Sequence, residues 1–317
     1  MTAESGVGPM PDLSNATCIV TGANSGLGFA GTQLLASAGA TVVMACRDGA
    51  RGEAARERIL ADEPEATLDV RECDLADLSS IETFATAFRS SYDELSVLCN
   101  NAGVMAIPRE ETTDGFEMQF GVNHLGHVAL TGHLLDCLRE TPGESRVVTQ
   151  SSKIHERGTI DFDDLHGETD YDKWGAYAQS KLANLLFAFE LDRRLRHTGA
   201  DVTSVGCHPG YAATNLQRRG PEKLGSRLRL AAMRVTNAVV AQSAHRGALP
   251  MVYAATAAAV DGGDYVGPDG LLNLRGLPTI QEPSDRARDE DLARRLWEVS
   301  EELTGVSYEL PVSETAE

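Results

Sequence analysis

The chain's strongest constraint on its own fold lies near its start. An apolar, β-branched run, Thr17–Thr21, passes directly into Gly22-Ala23-Asn24-Ser25-Gly26-Leu27-Gly28, and a helical pattern follows at once. Glycines at such spacing let the backbone turn sharply and come close to a diphosphate. The helix that opens next offers unpaired N–H groups and the positive end of its dipole. A strand, a glycine-rich turn and a helix in that order point to an α/β protein that binds a nucleotide.

The rest of the chain agrees. Strand-like runs are expected at 41–45, 68–73, 95–99, 146–150 and 201–207, with amphipathic stretches near 27–38, 51–62, 79–90, 114–140 and 176–197. Strands alternating with helices predict a doubly wound parallel sheet with helices on both faces, a single-domain Rossmann fold. No linker or internal repeat interrupts the alternation. The expected organisation is a loose segment over 1–13, one catalytic domain over 14–305 and an acidic tail over 306–317.

Composition narrows the function. Of 317 residues, 47 are acidic and 28 basic, a formal net charge of -19. That argues against a nucleic-acid partner and against docking to an anionic membrane. No apolar run approaches the ~18 residues that would span a bilayer, and the first residues lack a secretory pattern, so a cytoplasmic protein is expected. Only four lysines occur. An acidic, lysine-poor surface fits a salt-rich cytoplasm, and equally an arginine-rich genome. The six cysteines have no paired spacing and read as buried thiols in a reducing compartment. His124, His127 and His133 share a helix without the carboxylates or thiols of a metal site, and no metal is expected.

Further motifs accumulate in order. Asn100-Asn101-Ala102-Gly103 follows the fourth strand, and Asp74 and Leu75 follow the third. Tyr177-Ala178-Gln179-Ser180-Lys181 lies on a helix, and Pro209-Gly210 with Thr214 follows the sixth strand. With the T-G-x-x-x-G-x-G turn, these resemble the short-chain dehydrogenase/reductase family from about residue 14 to 275. VMACRD, VNHLGH and SKLANLLFAFEL look most like its retinol-dehydrogenase-like branch.

The resemblance implies a nicotinamide cofactor held by Gly22, Asn24, Ser25, Gly26, Leu27, Gly28, Arg47, Asp74, Leu75, Asn101, Ala102, Gly103, Tyr177, Lys181, Pro209, Gly210 and Thr214. It implies catalysis by Asn123, Ser152, Tyr177 and Lys181. NADP(H) is preferred, with NAD(H) as the second choice. Cys46 stands where an acidic ribose ligand would be, and Arg47 next to it can fork onto a 2'-phosphate. Asp48 reads instead as a helix N-cap.

Tyr177 and Lys181 are four apart, so they share one side of a helix. A free tyrosine has a pKa of about 10, and Lys181 together with the positive nicotinamide of the oxidised cofactor would lower it. Tyr177 would then exchange a proton with the oxygen of a carbonyl or alcohol substrate. Ser152 would hydrogen-bond that oxygen, with Ser151 structural. Asn123 would help hold a water for a relay to Lys181. The charged stretch 153–175 reads as an exposed insertion at the pocket rim. Residues 211–240 read as a helical lid over an apolar pocket. The substrate implied is an aldehyde, ketone, retinoid or steroid, and family members often form homodimers or homotetramers. The rival readings are a cofactor-sensing regulator without turnover, a protochlorophyllide-reductase-like enzyme and a halohydrin-dehalogenase-like enzyme. The intact glycines and Lys181 speak against the last.

Overall fold

The structure is a computed structural model that describes residues 10–211 and 243–310. The chain alternates β1 (Thr17–Thr21), α1 (Gly26–Ser37), β2 (Thr41–Cys46), α2 (Gly49–Asp62), β3 (Thr67–Glu72), α3 (Leu78–Arg89) and β4 (Val97–Asn100). It continues through α4 (Gly126–Glu140), β5 (Ser145–Gln150), α5 (Lys173–Arg196), β6 (Val202–Cys207) and α6 (Ala244–Thr256). It closes with β7 (Tyr265–Pro268), β8 (Pro278–Ile280) and α7 (Glu290–Thr304).

The eight strands form one sheet in the order β3-β2-β1-β4-β5-β6-β7-β8. All neighbours are parallel except β8, which pairs antiparallel with β7. The sequence reading stopped at six parallel strands. The last two were missed because they are short, and Gly and Pro interrupt them. Strand order reverses between β1 and β4, and ligands of open α/β sheets bind beyond the strand ends at such a reversal.

Both faces are covered. Leu34 and Leu35 of α1, Ile59 of α2 and Met251 of α6 pack on Val20, Val42 and Val148 of one face. Phe84 and Phe88 of α3, Leu134 and Leu138 of α4, and Phe187 and Leu191 of α5 pack on Ile19, Leu98 and Val147 of the other. All six cysteines are buried free thiols within this framework. No helix of the described residues is long and apolar enough to cross a membrane.

Three expectations shift. The helix read over 114–140 is broken: a short turn, Met118–Phe120, runs into a π-turn, Gly121–Leu125, before α4 begins. A π-turn leaves the hydrophobic pattern intact, so periodicity does not reveal it. Packing also reaches beyond 14–305. Met10 and Leu13 rest on the core, while Tyr308 is buried and donates its hydroxyl to the Val128 carbonyl oxygen at 2.6 Å. The insertion 153–175 is tied down as well as charged. Ile160, Phe162 and Leu165 pack against the core, and Tyr171 donates to the Glu117 carboxylate at 2.9 Å. The expected lid lies outside the described residues except for Tyr211.

Candidate active site

A cleft opens at the carboxyl ends of β1, β2 and β4. Gly22, Asn24, Ser25, Gly26, Leu27 and Gly28 line it from the turn, Arg47 from the end of β2, and Asp74 and Leu75 from beyond β3. Asn101, Ala102 and Gly103 line it from beyond β4. Thr21, Asp48, Arg51, Val104 and Val122 also line it and were not read from the sequence as cofactor contacts. Arg51 lies in the first turn of α2, four residues beyond Arg47, and its proximity in sequence offered the signal.

The turn is shaped as a cradle. Gly22 and Gly26 have φ of 67° and 59°, where a side chain is strained. A Cβ on Gly28 would meet the Gly22 carbonyl oxygen at 2.4 Å and Asn101 Nδ2 at 2.7 Å. Asp48, Asp77, Asp172, Ser243 and Asp289 cap α2, α3, α5, α6 and α7 with their side chains. At α1 the Ser25 side chain makes no capping bond. The amides at the start of α1 thus face the cleft without a side-chain acceptor, a donor set that suits a phosphate. These residues fit a dinucleotide.

The cleft continues toward α5. Gly103 lies against both Asn123 and Lys181, since its Cβ would come within 2.9 Å of Asn123 Oδ1 and 3.7 Å of Lys181 Nζ. Asn123 sits in the π-turn. Its Nδ2 donates to the Val104 carbonyl oxygen and Ser180 Oγ, both at 2.9 Å, and its Oδ1 accepts from Val104 N at 2.7 Å. The side chain is thereby committed to holding the loop after β4 against α5. Lys181 is buried and donates to the Gln150 carbonyl oxygen at 3.0 Å. Burial pulls its pKa down to about 8.

Tyr177 is buried on the same side of α5, with Trp174 edge-on beside it. Burial pushes the Tyr177 phenol up to about 12, and the Ser152 side chain facing it pulls the other way. The sequence expectation of a lowered phenol rests on Lys181 and the positive nicotinamide together, and in the chain alone burial outweighs the other effects on Tyr177. Ser152 caps the short turn Lys153–Arg157. Ser151 donates to the Lys181 carbonyl oxygen at 2.7 Å, which fixes the end of β5 to α5. His155, absent from the sequence reading, donates from Nδ1 to the Ser152 carbonyl oxygen at 2.9 Å and accepts from Ser284 N at 3.2 Å. Its ring proton is placed by partners that can only accept or only donate. Pro209 and Gly210 follow β6, and Gly210 has φ of 64° with no room for a Cβ beside the Leu274 carbonyl oxygen. Thr214 lies outside the described residues.

Residues 16–224 match the family described as short chain dehydrogenase. The chain belongs to the short-chain dehydrogenase family. Mouse retinol dehydrogenase 14 is 40% identical over 302 residues, covering 92% of this chain and 86% of that protein. Human retinol dehydrogenase 13 is 41% identical over 293 residues, covering 92% and 85%. Mouse polyprenol dehydrogenase is 41% identical over 301 residues, covering 93% and 86%. Among solved structures, an uncharacterised protein from Mycobacterium paratuberculosis superposes with a TM-score of 0.76 at 40% identity, covering 94% of this chain and 97% of that one. A Shigella flexneri short-chain dehydrogenase complexed with NADP (19% identity, TM-score 0.62, covering 81% and 98%) shares the fold. This short-chain dehydrogenase of the retinol-dehydrogenase-like branch is therefore an NAD(P)-dependent oxidoreductase acting on alcohol or carbonyl groups.

Proposed function

We propose that the chain is an NADP(H)-dependent carbonyl reductase or alcohol dehydrogenase for apolar aldehydes and ketones, with Tyr177 as general acid and base. The observation that carries this is the convergence of Tyr177, Ser152, Lys181 and Asn123 where the nucleotide cleft meets α5.

Bound nicotinamide supplies or accepts the hydride. The chain's own residues handle the substrate oxygen. Tyr177 donates its hydroxyl proton to that oxygen during reduction and takes it back during oxidation. Ser152 hydrogen-bonds the same oxygen and so favours charge building on it. Lys181 is fixed by Gln150 and places a titratable ammonium beside the Tyr177 ring. Asn123 holds the loop that carries Gly103 against Lys181.

Two arginines support NADP(H). Arg47 and Arg51 line the cleft, and neither guanidinium has an ion-pair partner among the described residues. Cys46 presents no carboxylate there, and the Asp48 side chain is occupied by Arg51 N at 3.1 Å as the cap of α2. A 2'-phosphate would meet two forked cations there, with the nearby Asp48 carboxylate turned to the α2 cap. An apolar substrate is supported by the retinol and polyprenol dehydrogenases among the relatives. Trp174 is about half exposed beside Tyr177, and Leu272 is exposed where its carbonyl oxygen accepts from Lys153 Nζ at 2.9 Å.

The test is nucleotide consumption against retinal, steroid ketones, aliphatic and aromatic aldehydes and small ketones, with NADPH and NADH in parallel. Turnover favouring NADPH is expected. Turnover favouring NADH would overturn the arginine reading, and tight NADPH binding without turnover would favour a regulator.

A further inference from the structure

His127 lies in α4, buried, and touches neither face of the cleft. Its Nδ1 is 3.0 Å from the Asn123 carbonyl oxygen. That oxygen can only accept, so Nδ1 carries the proton and Nε2 is an acceptor. Nε2 lies 2.9 Å from Thr21 Oγ1. The Thr21 hydroxyl has one proton, and the nearer acceptor is His127 rather than the Cys99 carbonyl oxygen at 3.3 Å. With its proton pointed at His127, Thr21 Oγ1 turns its lone pairs to Asn101 N and Ala102 N, both at 2.9 Å.

We propose that His127 is a positioning residue whose single imidazole sets two parts of the site. Through Thr21 it fixes the Asn101–Ala102 amides that shape the nucleotide cleft. Through the Asn123 carbonyl it fixes the π-turn from which Asn123 holds Val104 and Ser180 beside Lys181. The inference rests on the oxidoreductase reading above.

The two ring nitrogens act on different segments, so they separate by substitution. His127→Asn keeps a side-chain donor for the Asn123 carbonyl four residues back and loses the acceptor for Thr21. It is expected to weaken NADPH binding about tenfold with kcat little changed. In the nucleotide-free protein, the Asn101 and Ala102 amides should exchange hydrogen faster. His127→Gln reaches Thr21 with Oε1 and loses the donor to Asn123. It is expected to lower kcat about tenfold and leave NADPH affinity near that of the parent. Thr21→Val supplies a second route. It should reproduce the loss of affinity, and adding His127→Asn to it should weaken binding no further.

Each value is taken on protein whose near-UV spectrum matches the parent. Equal losses of affinity and kcat in both histidine variants, following their melting temperatures, would overturn the proposal. So would additive losses in the Thr21→Val, His127→Asn pair, which decides the matter if His127→Gln does not fold. A parent chain that neither binds NADPH nor reduces a carbonyl would instead refute the oxidoreductase reading.

Discussion

Lys181 Nζ lies 5.9 Å from the centre of the Tyr177 ring and gives a hydrogen bond to the Gln150 carbonyl oxygen. The ammonium is thus held by the end of β5 and not by the phenol. Burial pushes Tyr177 up to about 12 and pulls Lys181 down to about 8, so near neutral pH the phenol keeps its proton while Lys181 stays mostly an ammonium. Positive charge must therefore accumulate around this pair before Tyr177 can release a proton near neutral pH. Tyr177→Phe is expected to lower kcat by about 10²- to 10⁴-fold, the usual span for losing a general acid. NADPH affinity should change far less. Stopped-flow binding beside steady-state turnover distinguishes the two, and a variant that keeps parental turnover would remove Tyr177 from the chemistry.

The nucleotide half of this site was legible in the sequence because its signals are local. A glycine that must turn, an aspartate that caps and an arginine beside a cysteine that replaces an acid each act within a few residues. The Tyr177–Lys181 pair was legible as a spacing, but the burial that raises Tyr177 in the chain alone was not. Burial there depends on β5, α5 and the loop after β4 coming together. His127 was weighed and declined as a metal ligand; its bond to Thr21, a partner 106 positions away, left no local signal. Asn123 was read for a water relay; that its side chain also clamps Val104 and Ser180 from a π-turn had no signal in the periodicity.

Arg47 and Arg51 should act together on cofactor choice. Arg47→Ala is expected to weaken NADPH binding about tenfold and leave NADH nearly unchanged, since charge-assisted bonds to a phosphate are worth about 1.5–3 kcal/mol. Arg47→Ala with Arg51→Ala should erase the preference, and the NADPH affinity that remains should depend less on salt. Parallel titrations with both nucleotides at low and high ionic strength measure this. An unchanged NADPH-to-NADH ratio in the double variant would assign the preference elsewhere.

Gly28→Ala tests the cradle itself. Its Cβ would press on the Gly22 carbonyl oxygen and Asn101 Nδ2, the first of which is backbone. Overpacking of this kind costs about 1–3 kcal/mol, and here it also displaces the donors at the start of α1. Lower thermal stability is expected together with NADPH binding weakened beyond what the fold's loss explains. Parental affinity at a reduced melting temperature would show that the turn tolerates a wider path.

The net charge of -19 yields a prediction of a different kind. If the surface is adapted to salt, screening of self-repulsion should raise the melting temperature in molar KCl, where the Debye length falls to about 3 Å. An ordinary acidic surface would leave it flat. Melts from 0.1 to 3 M KCl, with sucrose as a non-ionic control, separate the two.

Acid should unfold the protein through its buried histidines. Burial holds His127 and His208 down to about 4 and His124 to about 3, against an ordinary value of 6.5. His155 and Lys153 add repulsion at His208. Between pH 6.5 and about 4 the unfolded chain binds protons at these rings that the folded chain does not. Their stabilising contribution is complete above pH 6.5 and falls as pH drops, by up to about 1.4 kcal/mol per pH unit for each ring. His208 accepts from Gly210 N with Nδ1 and faces Gln281 Oε1 with Nε2, so a neutral ring fits both partners. His208→Gln should lower stability at pH 7.5 yet flatten its decline between pH 6.5 and 4.5 by about one proton's worth. Urea melts across that range give the slope directly, and a decline as steep as the parent's would mean that His208 takes up its proton without unfolding.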